Sequence, residues 1–321
     1  MRCLTLILFV FLLNSCGTTS PDFVIIAHRG ASAHLPEHSL AATAFAHAHN
    51  PDFLEADLVV TKDNQLIVLH DLTLESTTNI AEVFPKRKRR DGKFYAVDFT
   101  LKEIQSLDLL ERVETNTGET VYSDRYSLGS TGLRIPSFDQ FLKLVNSLNR
   151  TTKKNIGIYP EIKSPEFHQR EGKDITSLVI TKLREWGYEE KPSQIFLQSF
   201  SPESLMRLKT EFKTQIPLIQ LIGENSWNES SADYDVMRTT EGLKKIKQYA
   251  VGVGPWLSSL KPELIADFKQ AGLQIHPYTH RDDRRPDGMS SDEYIQSLLK
   301  LGVDGLFTDH VELFEFLKKK N

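Results

Sequence analysis

Residues 262–278, PELIADFKQAGLQIHPY, and residues 291–308, SDEYIQSLLKLGVDGLFT, carry the pattern that decides the fold. Each opens as an amphipathic stretch, Pro262–Ala271 and Ser291–Leu301. Each then meets a glycine, Gly272 or Gly302, and ends in a short apolar run, Leu273–Tyr278 or Gly305–Thr308. Proline, or serine with acidic residues behind it, is a helix-start signal, and glycine readily takes the left-handed backbone that ends a helix. Helix, glycine, strand, twice in succession, is a βα repeat, and strands joined through helices run parallel.

The same alternation runs upstream. Strand-like segments are Phe23–Ala27, Phe53–Val60, Leu66–His70, Ile156–Ile162, Gln194–Gln198, Ile216–Leu221 and Ala250–Val253. Helix-like ones are His38–His49, Phe138–Leu148, Asp174–Trp186, Pro202–Phe212, where Ser201 precedes a proline and a glutamate, and Thr240–Tyr249, with Glu312–Lys319 at the end. So many βα units predict an α/β fold, a (β/α)8 TIM-type barrel, over an open doubly wound sheet. Nine strand candidates are one too many. Phe53–Val60 and Leu66–His70 are separated only by Thr61 to Gln65, whereas a parallel crossover takes a dozen residues or more. That pair is therefore a hairpin, or one member is not a barrel strand.

Residues 71–134, between the third strand-like segment and the next barrel strand, break the rhythm. They are polar and weakly periodic, and the basic run Lys86–Arg90 within them reads as a solvated loop. Long loops of this kind are usually functional, so the segment is read as an insertion capping an active-site mouth. A single barrel domain over 23–321 accommodates the whole pattern. The formal net charge of the 321-residue chain is −4, which gives no basic field for nucleic acid. Oligomeric state leaves no mark in the sequence.

The N-terminus reads differently. Met1-Arg2 is followed by an apolar run from Leu4 to Leu13 and then Asn14-Ser15-Cys16. The run is too short to span a bilayer and suits a signal peptide, residues 1–15. A small residue before Cys16 resembles the lipobox of bacterial lipoproteins, which implies lipidation of Cys16, a short tether over 16–22, and a lipid-anchored place in the bacterial cell envelope, periplasmic or outer-membrane. Cys3 and Cys16 are the only cysteines. No disulfide framework or thiolate zinc site follows, and a metal would need oxygen or imidazole ligands.

Chemistry collects at carboxyl ends of strands, where barrel enzymes keep their sites. Ala27-His28-Arg29-Gly30 follows the first strand; His28 can move protons near neutral pH and Arg29 can grip a phosphate. In Leu54-Glu55-Ala56-Asp57-Leu58, period-two alternation puts Glu55 and Asp57 on one face and the apolar residues on the other. Two such carboxylates in the lumen repel unless a cation or shared proton intervenes. His70-Asp71 ends another strand, and in Ile156–Lys163 the residues Tyr159, Glu161 and Lys163 share the inward face. Glu161 and Lys163 are either a structural ion pair or a metal ligand beside a phosphate-binding cation. Three carboxylates without thiolate suit Ca²⁺ or Mg²⁺ better than zinc. With Arg, Lys and two histidines, the set suits phosphodiester cleavage. Phe200, Trp256 and Tyr278 follow strands and are candidates to line the substrate pocket. His34, His47 and His49 form no ligand arrangement.

The ordered set His28-Arg29-Gly30, Pro36-Glu37-His38-Ser39, Glu55-x-Asp57, His70-Asp71, Glu161-x-Lys163, Gln198-Ser199-Phe200, His276-Pro277-Tyr278-Thr279 and Asp304-Gly305-x-x-Thr308-Asp309 resembles the glycerophosphodiester phosphodiesterases. The resemblance runs from about residue 24 to 310 and leans toward their longer periplasmic members. It implies a (β/α)8 fold and hydrolysis of diesters such as glycerophosphocholine to sn-glycerol 3-phosphate and an alcohol. It carries Glu55, Asp57 and Glu161 onto the metal ligands, with Ca²⁺ ahead of Mg²⁺. His28 and His70 match the acid/base pair, and Arg29 and Lys163 the phosphate-holding groups. Glu37 reads as a helix-start residue that orients the first loop. Either histidine could be the base, and either water or the glycerol hydroxyl the nucleophile. Competing readings are a phospholipase D- or C-like enzyme on intact lipids and a non-catalytic surface-binding lipoprotein.

Overall fold

The computed structural model describes residues 23–126, 129 and 132–317. The expected signal peptide, Cys16 and the tether lie outside the described residues. The strands are β1 (Val24–Ala27), β2 (Phe53–Val60), β3 (Leu66–Val68), β4 (Gly157–Ile162), β5 (Leu197–Ser199), β6 (Leu218–Ile222), β7 (Gly252–Pro255), β8 (Gln274–Ile275) and β9 (Gly305–Thr308). Eight of them run parallel in the order β8-β7-β6-β5-β4-β2-β1-β9. Beyond the two residues of β8, backbone bonds from Asp304 N to Ile275 O, Phe307 N to Pro277 O and His280 N to Phe307 O close the ring against β9. Pro277 has no N–H, which is why the regular ladder is short there. His280 is buried in this seam and its Nδ1 sits 2.8 Å from Thr308 Oγ1.

β3 is the surplus strand. It pairs antiparallel with the last residues of β2, Leu58 opposite Val68 and Val60 opposite Leu66, so the two form a hairpin that overhangs the barrel. From there the chain enters the insertion, whose Leu74, Ile80, Phe99 and Leu107, among others, form an apolar cluster with Val59 and Ile67 of the hairpin. The basic run inside it is not simply solvated. Arg87 lies 4.1 Å over the Phe99 ring and pairs with Glu103, while Arg89 forks onto Asp98 and Glu171. Lys86, Lys88 and Arg90 are exposed.

Outward-facing Leu54, Ala56, Leu58, Ile158 and Ile162 pack with the helices in the main core. Inside the barrel, Ile26, Phe53, Tyr159, Ile219 and Phe307 fill the floor, and Tyr159 Oη meets His276 Nδ1 at 3.0 Å. Helix 138–152 starts on a reciprocal cap between Ser137 and Gln140 and buries Phe138, Phe141, Leu142 and Val145. Helix 291–299 is capped by Ser290 with Glu293, one residue earlier than the sequence suggests. Gly272 and Gly302 take φ of +69° and +75°, the left-handed helix-to-strand handover. In place of the described part of the expected helix at 312–319 stands a 3-10 helix over 311–317, burying Val311 and Phe314 at the spacing of three that such a turn places on one side, while 318 and 319 lie outside the described residues.

Candidate active site

All ten pocket residues expected from the sequence meet in one cleft of about 200 Å³ at the carboxyl ends of the strands: His28, Arg29, Glu55, Asp57, His70, Glu161, Lys163, Phe200, Trp256 and Tyr278. The register explains why. Asp57 on β2 lies directly beside Glu161 on β4, and Glu55 beside Tyr159, so the carboxylates occupy adjacent inward positions above the aromatic floor. Among the described residues, ligand atoms of His38, Glu55 and Asp57 lie within 4.8 Å of one another. Glu161 completes the acidic side from the neighbouring strand. His38 Nε2 reaches Asp57 Oδ2 at 2.8 Å.

These carboxylates are buried and crowded. Burial pushes Glu55 and Glu161 well above the usual carboxylate range, and the Asp57 charge adds to both shifts, with Lys163 opposing it at Glu161. Asp57 is held well below that range against burial, by His38, His70 and Lys163. Asp57 Oδ1 is buried without a hydrogen-bond partner. An all-oxygen set that cannot comfortably ionise together, with an orphaned oxygen pointing among its neighbours, fits a hard divalent cation.

The first loop is held tightly. Arg29 has φ +56° and His38 has φ +63°, a backbone region costing an ordinary residue about 1–2 kcal/mol. The Arg29 N–H donates to Glu55 Oε2 at 2.6 Å, and the His38 N–H to Arg29 O at 2.9 Å. Gly30, φ +81°, sits so close to helix 40–48 that a Cβ there would fall 2.8 Å from the Ala42 carbonyl carbon. Arg29 Nη1 spans both oxygens of Glu37 at 3.1 Å, so Glu37 orients the loop as expected.

Each histidine stands on a carboxylate. His28 Nδ1 is 2.6 Å from Asp309 Oδ1, and His70 Nδ1 is 2.6 Å from Asp71 Oδ1. The carboxylates thus occupy the Nδ1 side of both rings, and His70 Nε2 accepts from Lys163 Nζ at 3.4 Å. Burial, then the Arg29 charge, lowers His28 to about 4 against the pull of Asp309. Burial with Arg29 and Lys163 lowers His70 too. Lys163 Nζ is also 2.9 Å from Glu161 Oε1 and 3.5 Å from Glu229 Oε2, and lies over the Phe200 ring. Trp227 packs edge-on against Trp256 at the mouth.

Sequence reasoning missed Asp309, His38 as a carboxylate partner, Glu229, Trp227 and Arg281. The residues of the motifs ending in Asp309 and opening at Pro36 were visible, and a polar residue ending a strand was the available signal. His34, His47 and His49 pair with Glu312, Asn149 and Glu315, away from the cleft.

A family model described as the Glycerophosphoryl diester phosphodiesterase family matches residues 28–313. The glycerophosphodiester phosphodiesterase of Haemophilus influenzae is 39% identical over 328 residues, covering 92% of this chain and 90% of that protein. The one from Treponema pallidum is 34% identical over 348 residues, covering 99% and 98%. Among solved structures, an Oleispira antarctica phosphodiesterase in complex with the product sn-glycerol-3-phosphate aligns at a TM-score of 0.64 and 18% identity, over 92% of this chain and 97% of that one, which speaks to the shared barrel. With a match across nearly the whole chain and identities of this size, the chain belongs to the glycerophosphoryl diester phosphodiesterase family and is an enzyme of the phosphoric diester hydrolase class.

Proposed function

We propose that the chain hydrolyses glycerophosphodiesters such as glycerophosphocholine to sn-glycerol 3-phosphate and an alcohol, at a divalent cation and with two histidines moving the protons. The observation that carries this is the pairing of each histidine with its own carboxylate in one cleft lined by acidic and cationic side chains. Glu55, Asp57 and Glu161 would hold the ion, and a set of hard oxygen donors suits Ca²⁺ or Mg²⁺, of which we propose Ca²⁺. When bound, such an ion neutralises charge gathering on phosphoryl oxygens.

The protein's own groups do the rest. Arg29 and Lys163 place positive charge beside the phosphate. Asp309 and Asp71 keep the Nδ1 protons of His28 and His70, so both Nε2 atoms face the reaction in a defined tautomer. One imidazole enters neutral and takes the proton of the attacking oxygen, from water or the glycerol hydroxyl, on its Nε2; the other enters as imidazolium and gives its Nε2 proton to the leaving alcohol oxygen, and exchange with solvent resets both rings. Phe200, Trp256 and Tyr278 form the apolar wall for the organic part of the diester.

The proposal extends to the segments at either side of the site. The Met1–Cys16 pattern supports a lipid anchor at Cys16 in the bacterial envelope, and residues 71–134, through Val121 and Tyr122 in the groove next to the cleft, support a covering role. The test is release of sn-glycerol 3-phosphate from glycerophosphocholine before chelation, after it, and after Ca²⁺ is returned. Loss and recovery are expected. Full activity after thorough chelation removes the cation from the mechanism, and turnover of phosphatidylcholine vesicles without glycerophosphocholine turnover points to intact lipids.

A further inference from the structure

Both carboxylates that hold the histidines have a second oxygen, and in each case an arginine from the insertion occupies it. Asp71 Oδ2 receives Arg112 Nη1 at 2.7 Å. Asp309 Oδ2 receives Arg125 Nη2 at 2.7 Å. Neither arginine is a rim ion pair in water: the Arg112 side chain is 16% exposed and that of Arg125 is 4% exposed.

The two guanidinium groups are themselves fixed. Arg112 sets Nε and Nη2 on the two oxygens of Glu37, at 2.9 and 2.7 Å, and so reaches Arg29 through Glu37. Arg125 forks onto Asp283 at 2.8 and 3.1 Å, donates to Ser32 O at 3.3 Å, and lies 3.6 Å over the Tyr122 ring. An aspartate gripped at one oxygen can still swing about its Cα–Cβ or Cβ–Cγ bond. A planar, buried guanidinium on the other oxygen removes that freedom and fixes the imidazole behind it.

We propose that Arg112 and Arg125 are positioning residues through which the insertion sets the orientation of both His–Asp pairs, His70–Asp71 and His28–Asp309, making residues 71–134 a working part of the site and not only a cover. This rests on the reading of His28 and His70 as proton carriers. Each carboxylate keeps one further donor, Ser76 on Asp71 and Arg281 on Asp309 at 3.0 Å, so loss of either arginine loosens a pair without abolishing it.

The experiment uses the full chain with Ca²⁺ and glycerophosphocholine, and the variants Arg125→Gln, Arg125→Lys and Arg112→Gln. Removing one charge-assisted bond predicts a fall in kcat of about 10- to 100-fold for Arg125→Gln, with KM changed less than about threefold. Arg125→Lys should recover part of the loss by returning a cation to Asp309 Oδ2. Arg112→Gln should lower kcat similarly and raise KM as well, because Arg29 loses its support. In a His28→Ala background, Arg125→Gln should add almost nothing, since a residue acting through His28 has nothing left to act on.

A second measurement does not depend on activity. The proton NMR resonance of the His28 Nδ1–H, assigned by its loss in His28→Ala, should broaden into solvent exchange in Arg125→Gln. An Arg125→Gln variant with kcat within twofold, an undiminished additional loss in the His28→Ala background, or an unchanged Nδ1–H resonance overturns the proposal. Near-normal turnover by His28→Ala instead overturns the assignment of His28 on which it stands.

Discussion

Asp309→Asn is the sharpest perturbation of the site. Asp309 Oδ1 lies 2.6 Å from His28 Nδ1, while Oδ2 takes Arg125 at 2.7 Å and Arg281 at 3.0 Å. Two cationic donors on Oδ2 leave asparagine one choice: its oxygen must face the arginines, and its NH₂ must face His28. A donor against Nδ1 forces the imidazole proton onto Nε2, the nitrogen that the mechanism uses. Buried Asp309 is held well below the usual carboxylate range by Arg281, His28 and Arg125, so its negative charge is fully present in the native protein. The same exchange in a serine-protease triad costs about 10⁴-fold in turnover with the geometry intact. For one of two proton carriers the expected loss is about 10²- to 10⁴-fold in kcat, or about 3–5 kcal/mol of barrier. The assay is coupled detection of released sn-glycerol 3-phosphate at saturating Ca²⁺, with circular dichroism and a melting curve as controls on the fold. A folded Asp309→Asn protein with kcat within threefold of wild type would refute the tautomer argument.

Three other outcomes are expected. Glu55→Gln should raise the half-saturating Ca²⁺ concentration by about tenfold or more, because affinity at such sites follows the ligand charge count; an unchanged metal titration would remove Glu55 from the ligand set. Ser137→Ala breaks the reciprocal cap of helix 138–152 and should cost about 1 kcal/mol, read as a melting-temperature drop of a few degrees with activity intact. His168 is buried, its Nε2 accepts the Val60 N–H at 3.0 Å, and burial lowers it from 6.5 to about 4. The unfolded chain therefore binds the proton first as pH falls: the stability from neutral His168 is whole above pH 6.5 and drains away down through pH 4, by about 3 kcal/mol in all. His168→Gln should flatten melting temperature against pH in that window, and an unaltered slope would contradict the role.

What the sequence discloses follows from what is local. Glu55 and Asp57 are readable because alternation along one strand fixes which residues share a face, and Leu54, Ala56 and Leu58 mark the other. The five residues between Val60 and Leu66 suffice to rule out a parallel crossover there, and the antiparallel pairing decides for the hairpin. The partners that complete the site are not local. Asp309 stands 281 positions from His28, and Arg125 reaches Asp309 across 184, so only closure of the barrel against β1 and β9 brings them together. Arg87 and Arg89 look like members of a solvated basic run until Phe99, Asp98 and Glu171 arrive from elsewhere in the chain. His38 sits just before a helix cap at Ser39, where a polar residue looks like part of the helix start. Its left-handed backbone turns it instead toward Asp57.

The mechanism turns on one ion held by carboxylates of β2 and β4 in the cleft that His28 and His70 also line. Anomalous diffraction from a crystal soaked in Mn²⁺ as a heavier oxygen-seeking ion measures this directly. The prediction is a single strong peak within bonding distance of Glu55, Asp57 and Glu161, inside the cleft lined by His28 and His70. A peak elsewhere in the molecule, or none among these carboxylates in a crystal of active protein, would contradict it.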